Sequence, residues 1–486
     1  MSEASGSNGD GSGQLPGIVV LKFGGTSVED SHAVRRLVRI VRSRLNFGVV
    51  VVVSALAMVT DQLLKSGRLA EEGNRGAAEA ELDELQLRHE QVASELLPED
   101  SYANMCKELD DGVGAIRVLL CEIESNRCLS PRAHDNLLGF GESFSSKIIS
   151  AALRHQGVDA ELVDSRSCIV TDSRHTQASP LWEETNQCLQ AVLTPLLEQR
   201  RVPVMGGFVG ATRTGVPTTL GRGGSDFSAT IVGAALHACR VEIWTDVDGV
   251  MTADPSLCPD ARLIRKMSFE EAAELANFGA KVLHPATLLP VVKENIPVYV
   301  LNSRNPEIEG TEIVAHCNSG TAVRAVTAKR AIAAVEIASG PHTHSEFLRD
   351  IYASFDRHHC IIEVMSWSHG RISLLVSGTS GLPNVAAELQ GKASVRWENH
   401  KALICLVGEN IRRQPEIASQ VFAAVSDIDV RVVCQSASDR TISFLVDEAR
   451  AEESVRRLHS LFFPSRKPPE SAFHSQALCQ AGEAWL

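Results

Sequence analysis

The chain has 486 residues, enough for about three domains. Apolar residues make up 44% and charged residues 22%, which allows a large core and argues against global disorder. With 60 acidic against 47 basic residues the net charge is −13, which disfavours a sequence-independent nucleic-acid binder or an anionic-membrane binder, because both rest on basic patches.

Residues 1–14 are rich in Ser and Gly and have no apolar stretch, so they are expected to form a flexible tail rather than a signal or transit peptide. The longest nearly apolar run, Phe47 to Val59, spans 13 positions, too few to cross a bilayer, and no membrane partner is expected. From Ile18 onward, Val/Ile-rich runs alternate with amphipathic stretches, the pattern of an α/β domain with a mainly parallel sheet. Strands are predicted at Ile18 to Phe23, Val49 to Val53, Val202 to Met205 and Val241 to Trp244. Between the first two, Val34, Leu37, Val38, Val41 and Leu45 recur at helical spacing, with Ser31 as the expected N-cap. The charged block from Asp61 to Ser130 reads as a helical insertion or lid, or as a solvated helix pair. The 12 cysteines are scattered from Cys106 to Cys479 without a C-x-x-C pair, and reduced thiols in a cytoplasmic protein are expected.

Beyond residue 330 the chain repeats itself at an offset of 70. Phe347, Ile351 and Ala353 align with Ile417, Val421 and Ala423; Ile372, Ser373, Leu375 and Val376 align with Ile442, Ser443, Leu445 and Val446. Each copy reads strand, helix, strand, strand, helix, and a closing strand is expected near Ala393 to Trp397 in the first. Two α+β modules of the split βαβ kind fit that order, at 330–397 and 400–463, with 464–486 a second tail.

Three turns carry the chemistry. Lys22-Phe23-Gly24-Gly25-Thr26-Ser27 stands where a strand hands over to a helix; glycines there let backbone N–H groups approach an anion, and Lys22 adds a full charge, which suits phosphate. A tight turn with a surface lysine is the plainer alternative. Leu220-Gly221-Arg222-Gly223-Gly224-Ser225-Asp226 sets an arginine fork among glycines, suited to a carboxylate or phosphate, with Asp226 in a first helical turn where it could serve only the helix dipole. Trp244-Thr245-Asp246-Val247-Asp248-Gly249 is an acidic turn after a strand. Three such turns at the carboxyl ends of strands favour a shared cleft. The residues alone reach a phosphate-handling α/β enzyme with paired C-terminal modules.

These segments, together with the Gly139-Phe140-Gly141-Glu142 turn and Phe278-Gly279-Ala280-Lys281-Val282-Leu283-His284-Pro285, resemble aspartate kinase from about Ile18 to Thr311, and the repeat resembles that family's paired ACT domains. The resemblance implies an amino-acid-kinase-like three-layer domain over residues 15–318, followed by the two modules as regulatory domains. It implies transfer of the ATP γ-phosphoryl group, with Mg²⁺ accompanying ATP, to the side-chain carboxylate of L-aspartate, an early step towards lysine, threonine and methionine. In that likeness Lys22 sits on the transferring group, Gly24 and Gly25 donate to it, and Asp226 orients the cations. Arg222 clamps the aspartate α-carboxylate and Glu142 takes its ammonium, with Ser54, Thr60 and Ser225 nearby. Thr245, Asp246, Met251 and Lys281 line the nucleotide site. The chain departs from the family at Ser256, where an arginine is usual and Arg262 is a candidate substitute, at the turn Gly340 to Glu346, which has one glycine, and at Ser438-Asp439-Arg440-Thr441. Lysine, then threonine, is the expected effector, in a homodimer or homotetramer. The competing readings are another small-molecule kinase on the same fold and a sensor without turnover.

Overall fold

The computed structural model describes residues 17–279, 283, 285–317, 322–339, 344–368, 371–435 and 438–464. The chain divides into two compact units, Met1–Val250 with Leu263–Gly320 and Met251–Arg262 with Thr321–Leu486. In chain order the first contains β1 (Ile18–Phe23), α1 (Ser31–Arg42), β2 (Gly48–Val53), α2 (Val59–Glu71), α3 (Arg75–Leu96), α4 (Glu99–Asn126), α5 (Pro131–His155), β3 (Ala160–Val163), β4 (Val170–Thr171), α6 (Trp182–Glu198), β5 (Val202–Gly206), β6 (Val209–Thr212), β7 (Pro217–Thr219), α7 (Gly224–Ala235), β8 (Arg240–Thr245), β9 (Lys266–Ser268), α8 (Phe269–Asn277), α9 (Pro285–Glu294), β10 (Val298–Asn302) and β11 (Thr311–Val314).

Eight of these strands form one sheet in the order β3-β5-β2-β1-β8-β10-β11-β9. The run from β3 to β10 is parallel, and the last two strands turn back, β11 antiparallel to β10 and β9 parallel to β11. β1 and β2 are buried almost throughout, as a strand covered on both faces must be. Their alternation divides the layers. Val19, Leu21, Phe23, Val49, Val51 and Val53 join the core made with α1 and α5. Val20, Val50 and Val52 are buried towards the other face, where α7 packs on β1. Because the strands are parallel, β1, β2, β5 and β8 all end at the same edge. β4, β6 and β7 make a small separate sheet.

Two expectations are corrected. The cap of α1 is Asp30, whose carboxylate accepts the Ala33 N–H at 2.7 Å, while Ser31 is already helical and its hydroxyl bonds Glu95 on α3. The charged helical block is neither a lid nor a solvated pair. Leu82, Leu85 and Val92 of α3 and Leu109, Val113, Ile116, Leu120 and Ile123 of α4 are buried in the same core as the sheet. Their charges occupy only the outward faces.

The second unit adds β12 (Val323–Ser339), α10 (His344–Arg357), β13 (Ile361–Ser368), β14 (Arg371–Ser377), α11 (Leu382–Glu388), β15 (Ala393–Gly408), α12 (Pro415–Ala424), β16 (Val432–Gln435), β17 (Thr441–Asp447) and α13 (Ala451–Phe462). One sheet in the order β13-β14-β12-β15-β17-β16 serves both copies of the repeat. The offset of 70 is visible in the packing: Ile351 and Val421 are both fully buried, as are Ile372 and Ile442. A feature absent from the sequence reading is that β12 begins before the first module. Val323 to Lys329 pair with Leu403 to Gly408, so the first module's chain is inserted between two strands of the second. β12 and β15 bend together, at Ala331 (φ +57°) and His400 (φ +58°), where the register shifts.

His89 of α3 lies fully buried, its ring edge-on to Phe144 of α5 with centroids 5.3 Å apart. Its Nδ1 bonds the Leu85 carbonyl at 2.7 Å, and Nε2 has no partner among the described residues. Burial in this apolar site pushes its pKa down to about 4. The unfolded chain, with an ordinary histidine, therefore takes up the proton first as pH falls. Stability is full above about pH 6.5 and is lost between there and about pH 4, by up to about 3 kcal/mol. Urea unfolding at pH 7 and pH 5 should show a smaller acid loss in His89→Leu than in the parent chain. An identical loss would place the acid sensitivity elsewhere.

Candidate functional site

Lys22, the penultimate residue of β1, points its ammonium at Asp226 in the first turn of α7, with Nζ to Oδ1 2.6 Å. Both side chains are largely withdrawn from water, at 10% and 15% exposure. Gly223, the N-cap of α7, has φ +71°, a left-handed conformation that glycine adopts at little cost and that lets the helix start against the β5–β6 turn.

The Gly24-Gly25 turn is fixed from both sides. The Gly24 N–H donates to the Trp244 carbonyl at 3.0 Å, and Ser27 Oγ donates to the same oxygen at 3.2 Å. The Gly24 N–H thus ties the turn to the end of β8. The N–H groups of Gly25 and Thr26 have no acceptor among the described residues. A Cβ on Gly25 would sit 3.1 Å from the Ala55 carbonyl oxygen, which explains glycine at that position.

Glu142 faces the same region from α5. The Gly139-to-Glu142 segment, expected as a turn, is helix interior. Its glycines serve packing, since a Cβ on Gly141 would lie 2.8 Å from Ala55 Cβ. Glu142 is 3% exposed, and its Oε2 has no hydrogen-bond partner among the described residues. Burial pushes its pKa up to about 8, against a bond from the Ala55 N–H and the charge of Lys22, which pull it down. Such a carboxyl is ready to ionise once a cation arrives. Ser54 follows β2, its N–H on the Phe23 carbonyl and its own carbonyl bonded by Ser145 of α5; Thr60 lies in the first turn of α2. Arg222 is exposed and makes no ion pair among the described residues. Ser225 lies against Gly207, in the first turn of α7.

At the end of β8, Thr245 Oγ1 bonds Asp246 at 3.2 Å, and the Thr245 carbonyl accepts from Ser303 N–H. Asp248 takes the Asn302 side-chain amide at 2.7 Å, so the acidic turn is tied to the end of β10. Met251 opens the Met251–Arg262 segment of the second unit. Lys281 and His284 lie outside the described residues, as does most of the turn Gly340 to Glu346.

The sequence reading missed Asp135 of α5, a carboxylate 1% exposed that accepts from Thr219 Oγ1 (2.6 Å), His175 Nδ1 (2.7 Å) and Thr176 N–H (3.0 Å). Burial alone would raise its pKa, but the nearby His134 and the bonds from Thr219, Thr176 and His175 outweigh that and hold it below the ordinary range. An acid two and three positions before the apolar Leu137 and Leu138, within a helix, was the available signal.

The profile of the amino acid kinase family matches residues 17–302, and that of the ACT domain matches residues 404–462. Lysine-sensitive aspartokinase 3 of Escherichia coli is 34% identical over 455 residues, spanning 92% of this chain and 99% of that protein. The chain belongs to the aspartokinase family. Chloroplastic aspartokinase 2 of Arabidopsis thaliana is 32% identical, over 91% of this chain and 84% of that one. Among solved structures, E. coli aspartokinase III in complex with aspartate and ADP superimposes with a TM-score of 0.81 at 33% identity, covering 92% of this chain and all of that one. The same enzyme in complex with lysine and aspartate gives 0.78 at 34% identity, over 92% of this chain and 99% of that one.

Gly207 makes one of the closest approaches in the site. A Cβ on Gly207 would lie 2.6 Å from Ser225 Cβ and 2.7 Å from its Cα. Gly207→Ala should therefore destabilise the fold by about 1–3 kcal/mol in chemical denaturation and displace the start of α7. A variant of parental stability would mean the turn yields freely.

Proposed function

We propose that this aspartokinase-family chain transfers the γ-phosphoryl group of ATP to the side-chain carboxylate of L-aspartate, giving 4-phospho-L-aspartate. The observation that carries the reading is the Lys22–Asp226 pair, 2.6 Å long, at the common edge where β1, β2, β5 and β8 end. The acceptor carboxylate is already a nucleophile, so the chain's task is to align two anions and to neutralise charge on the group in flight. Lys22 supplies that charge at a position Asp226 holds, and the free N–H groups of Gly25 and Thr26 add donors. Thr245 and Asp246 line the nucleotide's place, with Lys281 assigned there by resemblance. Magnesium fits as the companion of the ATP phosphates, because it favours phosphate and water ligands.

Arg222 takes the α-carboxylate of aspartate and Glu142 its ammonium, with Ser54, Thr60 and Ser225 around them. Glu142, held protonated near neutrality by burial, ionises as the ammonium docks and so discriminates against ligands without one. For regulation, the paired modules hold lysine, by analogy with the lysine complex of the E. coli enzyme, with threonine the second candidate. The open edges at β13 and β16 suit assembly into a homodimer or homotetramer. The 11 described cysteines are free, in keeping with a cytoplasmic setting.

Steady-state kinetics test the assignment. Lys22→Ala should lower kcat by about 10²-fold or more. Arg222→Ala should raise the aspartate KM more than the ATP KM, with Arg222→Lys giving incomplete rescue because an ammonium lacks the planar fork. An ADP-release assay that runs as fast on glutamate, acetylglutamate, carbamate or UMP would favour a different kinase of this fold, and none on any acceptor would favour a sensor.

Lysine added to the full chain should shift the initial rate with a coupling of about 1–3 kcal/mol. A response of less than about twofold to lysine, threonine or both would make the modules assembly elements.

A further inference from the structure

The buried carboxylate of Asp135 binds three stretches of chain together. Its oxygens accept from Thr219 Oγ1 at the end of β7 (2.6 Å), from His175 Nδ1 (2.7 Å) and from the Thr176 N–H (3.0 Å to each oxygen), with His134 Nδ1 3.6 Å away on its own helix. The 172–179 loop that supplies two of these contacts is closed on itself, Asp172 accepting from the N–H groups of Ser179 and Arg174. That loop also rests on the following segment. Ala178 N–H donates to the Thr219 carbonyl at 2.9 Å, and a Cβ on Gly221 would meet the Thr176 carbonyl oxygen at 3.2 Å.

The two ends of this clamp matter for what they carry. Asp135 and Glu142 are seven residues apart on α5, close to two full turns, and so lie on one face of the helix. Thr219 ends β7, and the chain passes directly through Leu220 and Gly221 to Arg222, then to Ser225 and Asp226 in α7. Arg222 makes no ion pair among the described residues, so its location is set by the backbone that bears it.

We infer that Asp135 is a positioning residue for the amino-acid substrate: through Thr219 and the 172–179 loop it fixes the distance between Glu142, which takes the ammonium, and Arg222, which takes the α-carboxylate. This rests on the proposed roles of Glu142 and Arg222. A misplaced Arg222 loses orientation of aspartate without touching the nucleotide, so the effect falls on one substrate.

The test is steady-state kinetics of the full chain with both substrates varied, for Asp135→Ala, Asp135→Asn, Thr219→Val and Arg222→Ala, with melting temperatures alongside. Asp135→Ala should raise the aspartate KM by roughly tenfold or more while the ATP KM stays within about twofold, the loss expected for charged buried hydrogen bonds. Thr219→Val, which removes one bond without changing shape, should raise it by about threefold and keeps the idea testable if the alanine variant does not fold. Asp135→Asn should restore most of the affinity: its oxygen can accept from Thr219 and Thr176 while its amide faces His175 in the other tautomer. Equal changes in both KM values, or a fall in melting temperature with the aspartate KM unmoved in the Ala and Val variants, would reduce Asp135 to scaffold and overturn the inference. If Arg222→Ala leaves the aspartate KM unchanged while Asp135→Ala raises it, the assignment of Arg222 falls instead.

Discussion

A lysine ammonium and an aspartate carboxylate, both largely shut off from water, meet at the edge of the central sheet, and the rest of the first unit is arranged around making that meeting tolerable. Either charge alone in such a place would carry a desolvation cost of several kcal/mol. Together they neutralise one another, and the start of α7 adds a partial positive field that favours Asp226. Lys22 reaches the pair from a strand end, and Asp226 from a helix start. A parallel sheet meets both needs, since β1, β2, β5 and β8 deliver their carboxyl ends to one side and each following turn opens there. β1 is flanked by β2 and β8, so the turn after it is supported on both sides.

Close backbone approach is the second requirement, and it explains the sites at which side chains are absent. Gly25 lies against the backbone of Ala55 and Ala57, and Gly207 against the start of α7, so the turns after β1, β2 and β5 interlock without intervening side chains. Trp244 joins β8 to that assembly. Its carbonyl holds Gly24 and Ser27, its ring stacks on Phe23 with centroids 6.2 Å apart, and its indole N–H donates to the buried Glu242 at 3.1 Å. Arg44 and Arg240 bond the same carboxylate, so a charged cluster remote from the turn fixes the residue that holds the turn. The glycine turn is rigid because its neighbours are.

Much of this was legible in the sequence because its signals are local. Apolar runs marked the four strands, and a repeat of 70 residues marked the two modules, since buried positions must recur where a fold recurs. What was not legible depends on contacts between distant segments. The glycines before Glu142 read as a turn, yet they lie inside α5, because close packing against Ala55 demands glycine as surely as a turn does. The bond from the Gly24 N–H to the Trp244 carbonyl likewise shows only once β1 and β8 are paired. Asp135 carried no motif; its partners are 40, 41 and 84 residues away along the chain. The role of Val323 to Lys329 was hidden for the same reason, since a strand pairing with residues some 80 positions later leaves no periodic trace.

The shared strands of the second unit constrain how its two modules can respond to a ligand. β12 and β15 each run through both modules, so neither module can rotate as a separate body without breaking a continuous ladder. The ladder yields most readily where it is already irregular, at the register shifts beside Ala331 and His400. Next to that bend Lys401, 6% exposed, reaches Asp447 of β17 at 2.6 Å and Glu398 on its own strand at 3.1 Å, and Arg431 reaches Glu398 as well. The Glu398–Lys401 pair spans the bend. A change in the bend's angle must alter that pair, and a ligand can drive such a change only by the difference in its affinity for the two angles. The irregular point of the ladder and a nearly buried lysine with its two carboxylate partners thus fall in one short stretch of β15, where the two halves of the sheet meet.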